Sequence, residues 1–155
     1  TNPPFGAKVL INEKKYLKDY QLGLNNGKER AAQSTEVLFI ERCFEYLKEG
    51  GRMAIVLPDG ILTNATLQYV RDFIMTNFKI NAIVSIPQTA FSHYGAGVKC
   101  SLLFLTKSTK NKEDCDIFMA QAEYVGYDAT GREIEQNDLN EIFNSYKNFI
   151  EKKKL

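Results

Sequence analysis

Three uninterrupted apolar runs constrain the fold of this chain more than any other feature. Arg52–Leu57 (RMAIVL), Ile80–Ile86 (INAIVSI) and Cys100–Thr106 (CSLLFLT) each have the length of a strand and lack the alternation of a half-solvated one. Such runs predict strands covered on both faces. Helical periodicity occupies the stretches before the first run and between the first two, whereas residues 88–99, with Phe91, His93, Tyr94 and two glycines, read as a loop. Residues 35–49 place Val37, Ile40, Phe44 and Leu47 on one face, with Ser34 or Thr35 able to cap the start and Gly50-Gly51 to end it. Residues 65–77 do the same with Leu67, Val70, Phe73 and Ile74. Ile117–Ala120 reads as a short fourth strand. A last helix over 137–152, within a C-terminal segment 134–155, carries Leu139, Ile142, Phe143, Tyr146 and Ile150 as its apolar stripe. Helices alternating with buried strands predict an α/β layered sheet, and 155 residues suffice for one domain, 1–155.

Residues 7–33 break this pattern. They show no sustained periodicity, contain the turn signal Asn25-Asn26-Gly27, and hold Lys8, Lys14, Lys15, Lys18, Lys28 and Arg30. A long basic loop of this kind predicts either a flexible flap over a polyanion or plain solvated surface. The whole chain carries a net charge of only +1, so any contact with nucleic acid has to come from such a local patch. Three cysteines without a CxxC pairing, and a single histidine, predict a reduced cytoplasmic protein with structural thiols and no zinc. No run is long and apolar enough for a membrane span.

The chain opens on Thr1-Asn2-Pro3-Pro4-Phe5-Gly6, with no strand preceding a loop of this type, which predicts a fragment of a longer protein. The word Asn-Pro-Pro-Phe should occur by chance in well under ~1% of chains of this size. A Pro-Pro turn with a packed aromatic is the bland explanation. A ligand site at the carboxyl end of a parallel strand, with the basic segment following it, is the functional one.

Asn2-Pro3-Pro4-Phe5 resembles the catalytic motif of amino-group methyltransferases that use S-adenosylmethionine. Gly50 through Leu62 (GGRMAIVLPDGIL), Phe91 through Lys107, Val125-Gly126-Tyr127-Asp128 through Gly131-Arg132, and Asn137-Asp138-Leu139 resemble the modification subunit of type I restriction-modification systems, an N6-adenine DNA methyltransferase. The resemblance implies the second half of a Rossmann-like methyltransferase sheet ending in a C-terminal helix. It implies S-adenosylmethionine as cofactor, and duplex DNA, a specificity subunit and a restriction subunit as partners. The glycine-rich cofactor loop that the family carries upstream of its motif has no counterpart here, so the isolated chain is expected to be inactive.

The resemblance further implies that Asn2, through its side chain, and Pro3, through its carbonyl, accept from the target amine. The rigid Pro3-Pro4 pair fixes the geometry, and Phe5 stacks on a base extruded from the duplex. Phe104 is the candidate for a second stacking ring, with strand alternation able to turn it into the core instead, and Phe91 is the runner-up. His93 could meet phosphate or be polar surface, and Asp59 reads as a turn former. The alternatives in activity are an N5-glutamine or ribosomal-RNA methyltransferase, which share the first motif, and an interaction fragment without chemistry.

Overall fold

The structure is a computed structural model that describes residues 1–10, 16–108 and 116–152. In chain order the strands and helices are β1 (Lys8–Leu10), β2 (Leu24–Asn25), β3 (Lys28–Glu29), β4 (Ala32–Ser34), α1 (Thr35–Tyr46), β5 (Arg52–Pro58), α2 (Asp59–Thr63), α3 (Gln68–Asn77), β6 (Phe78–Ser85), β7 (Cys100–Lys107), β8 (Phe118–Gln121), β9 (Val125–Tyr127), β10 (Glu133–Asn137) and α4 (Leu139–Lys152).

The three apolar runs form the centre of a four-stranded sheet in the order β5-β7-β6-β8. β7 is antiparallel to both neighbours, whereas β6 and β8 run parallel. The sheet is therefore mixed. β5 and β6, each opposed to β7, point the same way, and their carboxyl ends open at one edge.

One face of the sheet packs against α1 and α3. Ile55, Leu57, Leu103 and Leu105 meet Val37 and Ile40 of α1 and Val70, Phe73 and Ile74 of α3 in a single core. Phe44 joins it edge-to-face with Phe73 and Phe78, at centroid distances of 5.7 and 5.6 Å. Lys107, at the end of β7, closes α1. Its ammonium donates to the carbonyls of Phe44 and Leu47 at 2.7 and 2.8 Å, satisfying acceptors that the last helical turn leaves free. α1 thus ends at Tyr46, before the Gly50-Gly51 stop that the sequence predicts.

The other face is covered only in part, which corrects the expectation of strands buried on both sides. Ala82 and Val84 are buried beneath α4, but Phe104 is 37% exposed and Ala54 lies open. α4 leans over this face through Phe118, whose ring lies 5.4 Å from that of Tyr146 and 5.5 Å from that of Phe149. An apolar cavity of about 240 Å³ remains between helix and sheet.

The segment expected as a loop over 7–33 carries short elements of its own. β1 pairs with β4, β2 with β3 across a turn with positive φ at Asn26 and Gly27, and two 3-10 turns bury Leu17 and Leu22. Glu41 of α1 holds this segment down. Its carboxylate accepts from the backbone N–H groups of Gln21 and Leu22 at 2.6 and 2.8 Å.

Candidate active site

The position of Asn2-Pro3-Pro4-Phe5 follows from its predecessor. The amino group of Thr1 donates to the Ala54 carbonyl at 2.7 Å, and the Val56 N–H donates to the Thr1 carbonyl at 3.1 Å. A residue bonded to the neighbours on either side of one opposite residue marks a parallel ladder, so Thr1 runs alongside β5 in the same direction. The motif then leaves over the carboxyl end of β5, where ligand sites of α/β sheets form.

Pro3 is buried and Asn2 is exposed. Among the described residues, no hydrogen bond engages the Asn2 side chain or the Pro3 carbonyl. Both acceptors are available to a ligand. Gly6 then turns the chain at φ +75°, a left-handed conformation that favours glycine, with open space where a Cβ would stand. Thr35, the first residue of α1, receives the returning chain. Its N–H donates to the Ala7 carbonyl at 3.0 Å and its hydroxyl to the Pro4 carbonyl at 2.9 Å.

The facing wall comes from the other strand that ends at this edge. After β6 and Pro87, residues Gln88–Tyr94 form a 3-10 turn. The loop closes on itself through the Gln88 side chain donating to the Gly97 carbonyl at 3.1 Å and the Ala96 N–H donating to the Phe91 carbonyl at 3.1 Å. The β9–β10 hairpin supports it from behind: the Tyr127 hydroxyl donates to the Ala90 carbonyl at 2.9 Å. Phe91 meets Phe5 edge-to-face, and Asn2, Pro3, Pro4, Phe5, Phe91, Tyr94 and Ala96 line a cleft of about 500 Å³. No charged side chain is among them.

The structure thus brings Asn2, Pro3, Pro4 and Phe5 together and sets Phe91 and Tyr94, rather than Phe104, opposite them. Phe104 points from the middle of β7 into the cavity under α4. The alternation that places Leu103 and Leu105 in the main core turns Phe104 to the other face, and neither direction leads to the sheet edge. His93 is wedged between Tyr94 and Tyr127, at centroid distances of 3.9 and 5.1 Å, with its Nδ1 buried and without a partner. Asp59 opens α2 and accepts from the Ser101 hydroxyl at 2.7 Å.

Among the basic residues, Lys8, Lys18 and Lys28 are exposed. Lys14 and Lys15 lie outside the described residues. Arg30 has an intramolecular role: its guanidinium sits 3.9 Å over the Tyr69 ring and donates to the Leu24 carbonyl at 3.0 Å. The sequence does not single out Tyr94, which lines the cleft, or Thr35, which bonds the turn beside it. The signal for Tyr94 was its place just after a strand parallel to β5, which becomes visible only when β7 is known to be antiparallel between them.

A mixed sheet with its antiparallel strand inserted between β5 and β6 is the Rossmann-like sheet found in solved S-adenosylmethionine-dependent methyltransferases. Residues 1–155 match the N-6 DNA Methylase family, and the chain belongs to it. The type I restriction enzyme EcoEI methylase subunit of Escherichia coli is 32% identical over 114 residues, 73% of this chain and 21% of the relative. The EcoKI methylase subunit of E. coli K12 is 29% identical over 110 residues, 70% of this chain and 18% of that one. Among solved structures, a modification subunit described as belonging to a type I restriction enzyme of Vibrio vulnificus YJ016 superposes with a TM-score of 0.71. It shares 26% identity, over 96% of this chain and 30% of that one. The chain spans about a fifth of the length of these curated relatives.

Proposed function

We propose that this chain supplies the catalytic turn and the base-binding cleft of an adenine-N6 DNA methyltransferase, acting within the modification subunit of a type I restriction-modification system. One observation carries the reading. Two unengaged acceptors, the Asn2 side chain and the Pro3 carbonyl, stand at the rim of a cleft whose other walls are the rings of Phe5, Phe91 and Tyr94. The family's description as an N-6 DNA methylase supports DNA as the substrate over glutamine or ribosomal RNA.

The uncharged lining fits the reacting end of S-adenosylmethionine, since a sulfonium cation favours acceptor oxygens and aromatic faces over basic groups. S-adenosylmethionine, when bound, supplies an electrophilic methyl group. The residues of this chain prepare the amine that receives it. The lone pair of the adenine amine is delocalised into the ring, which makes it a poor nucleophile. Asn2 Oδ1 and the Pro3 carbonyl each accept one of its N–H bonds, which favours a tetrahedral nitrogen and frees the lone pair for attack. The two prolines fix φ, so the carbonyl is placed before substrate arrives. Phe5 offers a stacking surface to the extruded base, and Phe91 and Tyr94 close the other side.

Duplex DNA, a specificity subunit and a restriction subunit are the proposed partners, and the cytoplasm the proposed location. The relatives' description as subunits supports the former. No helix among the described residues is long and apolar enough to cross a membrane. The cleft lining offers contacts for the sulfonium end alone, so the isolated 155-residue chain should show no saturable micromolar binding of S-adenosylmethionine by isothermal titration.

The deciding experiment is methyl transfer from labelled S-adenosylmethionine to duplex DNA by the full-length subunit with its partners, with N6-methyladenine identified by mass spectrometry. Asn2→Ala should lower kcat by about 100-fold or more while DNA and cofactor affinities change little, because its acceptor matters most as the amine changes shape. Methylation of another base or of protein, or near-normal turnover by Asn2→Ala, would overturn the reading.

A further inference from the structure

We infer that Thr35 is the positioning residue of the catalytic turn, clamping both ends of Pro4–Ala7 and thereby setting where the Pro3 carbonyl and the Phe5 ring stand. The inference rests on the function proposed above. One residue makes both bonds: the Thr35 hydroxyl donates to the Pro4 carbonyl at 2.9 Å, and the Thr35 N–H donates to the Ala7 carbonyl at 3.0 Å. Only Phe5 and Gly6 lie between the two acceptors. A hydroxyl has one proton to donate, and its other acceptors in reach are farther, Ala7 O at 3.3 Å and Glu36 Oε2 at 3.5 Å. The contact to Pro4 O is the shortest of the three, so the proton goes there.

Packing reaches Pro3 and the Phe5 ring, which lies against Phe91 and the cluster of Ile86, Ala90 and Cys100, but not the backbone on either side of Phe5. Pro4 and Gly6 are exposed, and nothing lies within 4 Å of the place a Gly6 Cβ would occupy. Nor is the hydroxyl occupied with capping the helix. Ser34 holds the N-cap position, makes no side-chain cap bond, and leaves Thr35 facing the turn. What Thr35 does have is a rigid base. Val37 and Ile40, on the same helix, are fully buried in the main core. The turn is therefore hung from a helix anchored in the main core. Thr35 does not line the cleft, so it acts through the groups it holds.

A displacement of about 1 Å in a reacting group can cost roughly 100-fold in rate, and loss of the clamp frees the turn to move by that much. The test uses the full-length methyltransferase with its partners and three variants: Thr35→Val, which keeps the shape without the donor, Thr35→Ala, a second donor-less variant, and Thr35→Ser, which keeps the donor. Thr35→Val and Thr35→Ala should lose about 10- to 100-fold in kcat. Their KM values for S-adenosylmethionine and DNA should stay within about threefold, and Thr35→Ser should retain most of the activity. Thermal melts monitored by circular dichroism select the variants that fold, and either donor-less variant suffices. Wild-type turnover in a folded donor-less variant, a loss confined to KM, or equal loss in Thr35→Ser would overturn the inference. Failure of the wild-type enzyme to methylate adenine would instead overturn the function on which it rests.

Discussion

Phe5 and Phe91 meet edge-to-face, with ring centroids 6.2 Å apart and an interplanar angle of 71°. One ring ends the turn beside β5, and the other follows β6, so the contact joins the two strand ends that open at the same edge. Such a pair contributes about 0.5–1.5 kcal/mol beyond its buried area. It also fixes the Phe5 ring before a base arrives, which reduces the ordering cost of binding.

The first prediction separates these rings from Phe104. Phe5→Ala and Tyr94→Ala should weaken extrusion of a target base, read as lower 2-aminopurine fluorescence at the methylated position, whereas Phe5→Trp should be tolerated because stacking needs a ring face of no particular kind. Phe104→Ala should leave that signal unchanged. It removes contacts in the cavity under α4 and should lower stability by about 1–2 kcal/mol in urea unfolding. A fluorescence loss in Phe104→Ala as large as in Phe5→Ala would return Phe104 to the site.

The second concerns salt. Lys8, Lys18 and Lys28 are exposed beside the Asn2–Gly6 turn or on the segment that follows it, while Arg30 is committed to Tyr69 and Leu24. Each phosphate contact removed should make the log–log dependence of DNA affinity on salt shallower by roughly 0.9. Replacing Lys8 and Lys18 with Gln should shift the slope. Arg30→Gln should not, and should instead reduce stability. A slope that moves for Arg30→Gln and not for the lysines would reverse the assignment.

How far the sequence carries the fold depends on whether a signal is local. The stripe Val37, Ile40, Phe44 and the runs at Arg52, Ile80 and Cys100 locate α1, β5, β6 and β7 to within a few residues, because periodicity and burial are properties of neighbouring side chains. Pairing is not local. Nothing in CSLLFLT tells that it lies between RMAIVL and INAIVSI and opposes both, so the sequence ranks Phe91 only behind Phe104 as the ring that faces Phe5. The segment over 7–33 misled for a related reason. Leu17 and Leu22 are isolated apolar residues without a period, and the partner that holds their segment, Glu41, is a charged residue outside the apolar stripe of its helix. Of the proposed site, the sequence singles out Asn2–Phe5, a rare word that lines the cleft. It does not single out Thr35, whose threonine at a helix start has an ordinary explanation as a cap.

The third prediction is a pH dependence. Burial, and after it the charge of Asp59, push the Cys100 thiol from 9.0 up to about 11. The folded value lies above the unfolded one, so the contribution of the neutral thiol is fully present below about pH 9 and is lost as pH rises through about 11. At pH 8 Cys100 should resist alkylation in the native protein and react after unfolding, as peptide mapping of modified cysteines would show. Burial raises Cys43 as well, so it should share this behaviour. Rapid native alkylation of Cys100 would contradict its placement at the start of β7.

The last prediction tests what orders the segment after the Asn2–Gly6 turn. Glu41 is 6% exposed, and its two oxygens accept separately from the N–H groups of Gln21 and Leu22. Leu22, 3% exposed, belongs to the main core, so these bonds tie a 3-10 turn to α1 where water cannot replace them. Glu41→Ala leaves two backbone donors unsatisfied and should cost about 2–4 kcal/mol, seen as a lower urea midpoint. Glu41→Gln keeps one acceptor but sets an amide NH2 against the other backbone N–H, so it should recover only part of that loss. Limited proteolysis distinguishes a local from a global effect. If the carboxylate is the clamp, cleavage in Glu41→Ala should appear first between residues 16 and 30, at denaturant concentrations where the sheet is still folded. A variant as stable and protease-resistant as wild type would mean that Leu17 and Leu22 hold the segment by packing alone.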